Sequence, residues 1–126
     1  MNQYNISKTE LSIMEAIWQG YPCSAEQVIE RLNQVSEWHE KTAKTLLYRL
    51  LKKGAIKHQK KGRQYWYSAC IERDEFKKQQ SNSFVGEVFN GKVSHLVAAF
   101  AQENSLSQSD VSELKAIIDQ WEQNND

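Results

Sequence analysis

Long apolar runs are missing from this sequence. The longest, Leu96-Val97-Ala98-Ala99-Phe100-Ala101, has six residues, and a membrane-spanning helix needs about 20. No stable membrane association is therefore expected. The first residues, Met1-Asn2-Gln3-Tyr4-Asn5, have neither a basic n-region nor an apolar h-region, so no secretory signal is expected. Cysteine is scarce. Cys23 and Cys70 lie 47 positions apart with no C-x-x-C, which argues against a disulfide framework or a zinc ribbon and fits a reducing compartment, the cytoplasm. Nucleotide-binding glycine loops, G-x-S-x-G, H-E-x-x-H and the zinc-deaminase pattern are all absent. The histidines His39, His58 and His95 have no second ligand at a metal spacing. The expectation is a protein that is not an enzyme, with no catalytic residues, no metal site and no cofactor.

What is present is an ordinary folding composition. Apolar residues make up 40% and charged residues 25% of 126 positions, and the 4 Trp, 5 Tyr and 4 Phe argue against disorder. That length suits one domain, or a small domain with an oligomerisation arm. The net charge of zero hides an asymmetry. Residues 1–68 hold 11 Lys and Arg against 6 Asp and Glu, and residues 69–126 hold 5 against 10. Between His39 and Tyr65 there are nine basic residues and one acid, Glu40. A basic stretch of this kind is the electrostatic footprint of a polyanion-facing module.

Periodicity supplies the elements. Ser7-Lys8-Thr9-Glu10 is a capping box before Leu11, Ile13, Met14, Ile17 and Trp18 at helical spacing. Gly20-Tyr21-Pro22 stops that helix. Ser24-Ala25-Glu26-Gln27 opens a second helix with Val28, Ile29 and Leu32 on one face. A third runs from about His39 to Lys53, with Ala43, Leu46, Leu47, Leu50 and Leu51 apolar, and ends in Lys52-Lys53-Gly54, cations near the helix C-terminus and then a left-handed cap. Ile56 to Lys60 and Gln64 to Ser68 bracket Lys61-Gly62-Arg63 and read as a hairpin. Three helices and a hairpin, with a basic third helix and a basic hairpin tip, give the order of a winged helix-turn-helix. The remainder reads as three amphipathic helices: about Arg73 to Phe89, one marked by Val93, Leu96, Val97 and Phe100, and one opened by Ser107-Gln108-Ser109-Asp110. Such short helices bury little alone. Packing against a second copy, or folding back onto the first domain, would cover them.

The expected fold is therefore mainly α. A winged-helix domain occupies residues 1–70, and a helical dimerisation domain occupies residues 71–126. In the third helix, Thr42, Thr45, Tyr48 and Arg49 have the groups to touch base edges. Lys41, Lys44 and Lys52 suit phosphates, and so do Lys60, Lys61 and Arg63 at the hairpin tip. His39 stands where the helix begins, to cap it or to meet a phosphate. The dimer face is expected at Phe76, Phe84, Val88, Leu96, Val97, Phe100, Leu114, Ile117, Ile118 and Trp121.

These residues resemble a known family, the penicillinase and methicillin-resistance repressors, grouped with copper-responsive repressors. The resemblance runs from about Ile6 to Trp121. Ile6-Ser7-Lys8-Thr9-Glu10 with Ile13-Met14 and Ile17-Trp18 resembles the family's first helix. Lys41-Thr42-Ala43-Lys44-Thr45-Leu46-Leu47-Tyr48-Arg49-Leu50 is similar to its recognition helix. Tyr65-Trp66-Tyr67-Ser68 resembles its wing strand, and Ser94-His95-Leu96-Val97-Ala98-Ala99-Phe100 its C-terminal segment. The resemblance implies a homodimer on a double-stranded operator, a short palindrome with TACA and TGTA halves, repressing a promoter. It also implies induction in antibiotic-responsive members by a membrane-bound sensor metalloprotease, with a cut between Asn and Phe. The matching pair here is Ala99-Phe100, so the asparagine is replaced. The paired C-x-C motifs of the copper-responsive branch are absent, since no cysteine follows Cys70. Two other functions fit the residues: a winged-helix adaptor for proteins, and a thiol- or metal-sensing regulator using Cys23, Cys70 and the histidines.

Overall fold

The computed structural model describes residues 4–125. Met1, Asn2 and Gln3, read above for a leader, lie outside the described residues. In chain order the elements are α1 (Lys8–Trp18), β1 (Cys23–Ser24), α2 (Ala25–Asn33), α3 (Glu40–Lys53), β2 (Ile56–Lys61), β3 (Gln64–Ala69), α4 (Arg73–Val88), α5 (Val93–Gln102) and α6 (Gln108–Asn124).

The helix starts follow from their caps. The Ser7 hydroxyl accepts from the Glu10 amide while the Glu10 carboxylate accepts from the Ser7 amide. Ser24 with Gln27 and Ser107 with Asp110 repeat the exchange. Each box pairs two backbone donors that would otherwise be orphaned. At the end of α3, Gly54 sits at φ +79° and donates its amide to the carbonyls of Leu50 and Leu51, a conformation in which a side chain would be strained.

The core forms where α1, α2 and α3 meet. Ile13, Met14, Ile17, Val28, Leu47 and Leu50 are essentially sealed from solvent, each side chain stabilising the fold by roughly 1.5–3 kcal/mol through burial. The sheet closes one side in the order β1-β3-β2, antiparallel throughout. β2 and β3 form the expected hairpin, from Ile56 opposite Ala69 to Lys61 opposite Gln64. Its loop is Gly62-Arg63 with Gly62 at φ +66°, the glycine-first pattern of a II′ turn. β1 was not foreseen. It pairs Cys23 with Tyr67 and Ser24 with Trp66, and so ties the turn before α2 to the wing.

Chain contacts divide the protein into two units, Met1–Gln79 and Gln80–Asp126. The start of α4 thus packs with the N-terminal unit, past the boundary expected after residue 70. The Trp18 indole N–H donates to the Ile71 carbonyl at 2.9 Å, Tyr21 donates to Glu72, and Arg73 pairs with Glu15 at 3.1 Å. Phe76, expected at the dimer face, is instead 6% exposed in the N-terminal core. Its ring lies 5.5 Å from that of Trp18. The reason is local: the straps at residues 71–73 bring the first turn of α4 onto α1.

The second unit is differently built. Among its described residues only Val85 is buried. Phe84, Val88, Val93, Phe100, Ile117, Ile118 and Trp121 are all about half exposed or more.

Candidate nucleic-acid interface

The site is one face of α3 with the adjoining wing. Ala43, Leu46, Leu47 and Leu50 point inward and are buried, which fixes the rotation of the helix. Lys41, Thr42, Lys44, Thr45, Tyr48, Arg49 and Lys52 are then all exposed, as the sequence predicted. The end of α3 is pinned as well. The Lys53 ammonium lies 2.6 Å from Oε1 of Glu10 and 2.6 Å from the Asn5 carbonyl. Glu10 is only 2% exposed. Burial pushes its carboxyl up, but the bonds from Lys53 and from the amide and hydroxyl of Ser7 outweigh this and hold it below its ordinary value. The α1 N-terminus and the α3 C-terminus are joined through this one carboxylate.

The outer face carries a groove of about 850 Å³ lined by His39, Glu40, Lys41, Thr42, Lys44, Thr45 and Tyr48. His39 is the N-cap residue, yet its side chain makes no capping bond, which leaves the ring in the groove lining. The Thr45 hydroxyl donates back to the Lys41 carbonyl at 2.9 Å, so Thr45 offers an incoming ligand its methyl group and an acceptor oxygen. The Lys52 ammonium lies 5.4 Å from the Tyr48 ring centroid, within cation–π range. Lys44 is not free: its ammonium lies 2.7 Å from Glu40. Hydrogen bonding between the two lowers the Glu40 pKa and raises that of Lys44. Sequence reasoning counted Glu40 without giving it a role; its i,i+4 spacing from Lys44 was the available signal.

On the wing, register sets the side chains. Lys60 lies opposite Tyr65 and His58 opposite Tyr67. The Lys60 ammonium is 5.7 Å from the Tyr65 centroid, and the His58 ring lies 4.7 Å from Tyr65 and 5.7 Å from Tyr67. These contacts stiffen a tip on which Lys60, Lys61 and Arg63 are exposed.

Elsewhere, Leu96, Val97, Phe100, Leu114 and Ile117 line a groove of about 420 Å³ between α5 and α6. Phe84, Val88, Ile118 and Trp121 are exposed in the same unit. Ala99 and Phe100 lie inside α5, Ala99 half-buried and Phe100 48% exposed. Cys23 is buried, and burial pushes its thiol up against the opposing effect of Arg31, the reverse of an activated thiolate. Among the described residues, no group of three His, Cys, Asp or Glu side chains is placed to hold a metal ion, and no helix is long and apolar enough to cross a membrane.

A family model described as penicillinase repressor matches residues 6–120. The penicillinase repressor of Bacillus licheniformis is 35% identical over 115 residues, 91% of this chain and 90% of that protein. The methicillin resistance regulatory protein MecI of Staphylococcus aureus is 34% identical over 115 residues, 91% of this chain and 94% of that one. Among solved structures, the Bacillus licheniformis BlaI monomeric form in complex with the blaP half-operator matches with a TM-score of 0.52 and 38% identity. It covers 60% of this chain and 93% of its own.

Proposed function

The chain belongs to the penicillinase repressor family, and from that premise we propose that it represses transcription by laying α3 in the major groove of an operator. It is a DNA-binding transcriptional repressor, of a family of regulators and not of enzymes. One observation carries the mode of binding. The exposed face of α3 gathers Thr42, Thr45, Tyr48 and Arg49 between Lys41 and Lys52, on a helix whose other side is locked in the core. Arg49 has the fork for guanine and Thr45 the methyl for thymine. Lys41, Lys52, Lys60, Lys61 and Arg63 meet phosphates and set register.

The second unit makes the homodimer in this reading. Phe84, Val88, Val93, Phe100, Ile117, Ile118 and Trp121 are about half exposed or more in this one small unit, and a second copy covers them. Two linked recognition helices then bind a palindrome, since the second contact becomes intramolecular. Separating the copies releases the operator without altering the reading face. Cleavage by a sensor metalloprotease at Ala99-Phe100 would act in this way. The bond lies within α5, which must unwind locally to be cut, and cutting there divides the α5–α6 groove. The protein works beside the chromosome, in the cytoplasm.

The test is fluorescence anisotropy with a duplex carrying a TACA/TGTA palindrome and with a scrambled duplex, each at two salt concentrations. Tight, salt-sensitive binding that prefers the palindrome is expected. Weak binding to both with a flat salt response would overturn the reading in favour of a protein-interaction adaptor.

A further inference from the structure

Glu40 has no place in a surface built only to hold phosphates. It is the one acid between His39 and Tyr65, among nine cations. It opens α3 and lines the same groove as Thr42, Thr45 and Tyr48, at the helix end that in helix-turn-helix proteins meets base edges. An ionised carboxylate only accepts hydrogen bonds. Phosphate oxygens also only accept, so Glu40 repels a backbone and attracts a base edge that offers a donor. In the major groove the cytosine N4 amine is such a donor.

Its pairing has a second consequence. Lys44 would be a phosphate ligand, but Glu40 holds its ammonium at 2.7 Å while the two side chains remain 67% and 56% exposed. While it is paired, the carboxylate offsets part of the charge that Lys44 would bring to a phosphate, and a phosphate drawn to Lys44 comes close to the carboxylate as well. A cognate site places a cytosine amine opposite the carboxylate in every complex and so repays that repulsion; random DNA does so only in the minority of registers where a C·G pair falls there. The pair thus weakens the contribution of Lys44 to non-specific binding, and the penalty is offset where a base edge donates to the carboxylate.

We propose that Glu40 is a specificity-determining residue that reads a cytosine amine in each half-site and, through Lys44, suppresses binding to non-cognate DNA. The proposal rests on the placement of α3 in the major groove. It goes beyond that placement by assigning the base and the gating of a cation.

The full-length protein and its Glu40→Gln variant test this together. Each is put through selection from a random-sequence duplex library, and each is titrated against a scrambled duplex over a salt series. The wild type is expected to enrich a motif with one C·G pair in each half-site that loses its preference in Glu40→Gln. The variant should bind scrambled DNA roughly fivefold tighter, with a salt slope steeper by about 0.9 as Lys44 is freed. Its ratio of specific to non-specific affinity should fall roughly tenfold. The same motif and the same slope from both proteins, with at most a shifted melting temperature, would reduce Glu40 to a helix-start charge and overturn the proposal. If the wild type enriches no motif at all, the major-groove reading itself fails and this one with it. A melt followed by circular dichroism confirms that the variant, altered at an exposed position, is folded.

Discussion

Replacing Lys53 with methionine tests whether one buried carboxylate holds the recognition helix in place. Lys53→Met keeps the length and the apolar stem of the side chain but removes the ammonium 2.6 Å from Glu10. Glu10, 2% exposed, then keeps only the partners of its own capping box. Leaving one member of a buried pair without its partner costs about 3–5 kcal/mol. Lys53 is 35% exposed here, so water already screens part of the pair, and the expected cost is roughly 2–3 kcal/mol. For a unit of this size that lowers the melting temperature by roughly 10–20 °C. The sign of the pH effect follows from the depressed Glu10 pKa. Stability from the ionised carboxylate is present above its ordinary value of 4.5 and is lost as pH falls through the lower folded value. Circular dichroism melts at fixed protein concentration, at pH 7 and in steps below pH 5, read both quantities. The double variant Glu10→Gln with Lys53→Met should recover most of the loss at pH 7, since no buried charge is left unpaired. A Lys53→Met cost under about 0.5 kcal/mol would place the pair among ordinary surface ion pairs and refute the anchoring role.

Three further outcomes are expected. Arg49→Ala should lose about 1–3 kcal/mol of binding and relax preference at one base pair, whereas Lys60→Ala should weaken all duplexes alike and reduce the salt slope by about one; anisotropy against single-base operator variants separates the two, and uniform losses from both would erase the division between base and phosphate contacts. Ile117→Asp, at a side chain 63% exposed beside the α5–α6 groove, should yield a monomer by sedimentation equilibrium and weaken operator binding at least tenfold while leaving the wing and α3 intact. A fragment of residues 1–79 should remain folded and bind a half-operator as well as the full chain does, but bind the palindrome far more weakly; equal affinity for the palindrome would remove the need for linkage.

Local chemistry made much of the fold legible. Ser7 with Glu10, Ser24 with Gln27 and Gly54 mark helix ends because their roles involve residues three or four positions away. The outward set on α3 followed from its apolar positions, since a helix that buries Ala43, Leu46, Leu47 and Leu50 has only one way to turn. β1 escaped because two residues are too few to show alternation. Phe76 escaped for another reason. Phe76 and Val85 lie nine positions apart, about two and a half turns of helix, so they emerge on opposite faces of α4. Apolar periodicity reports that such residues are buried and says nothing about what buries them. Trp18 with Ile71 and Arg73 with Glu15 decide that, at sequence separations of 53 and 58.

Charge shows why a repressor with no net charge can still act on DNA. Electrostatic attraction to phosphates supplies affinity for every sequence alike, so a uniformly basic chain would be spread over the competing genome. Here nine of the 16 cations fall in the stretch from Lys41 to Arg63, while acids outnumber basic residues two to one in residues 69–126. Attraction is therefore short in reach and tied to one orientation of the wing and α3. Next to that stretch, Glu40 offsets part of a further positive charge by pairing with Lys44. A weaker non-specific term leaves base contacts and linkage between two copies to decide occupancy. In the proposed homodimer those two contributions come from the palindrome and the pairing of the copies, and the second vanishes when the copies separate.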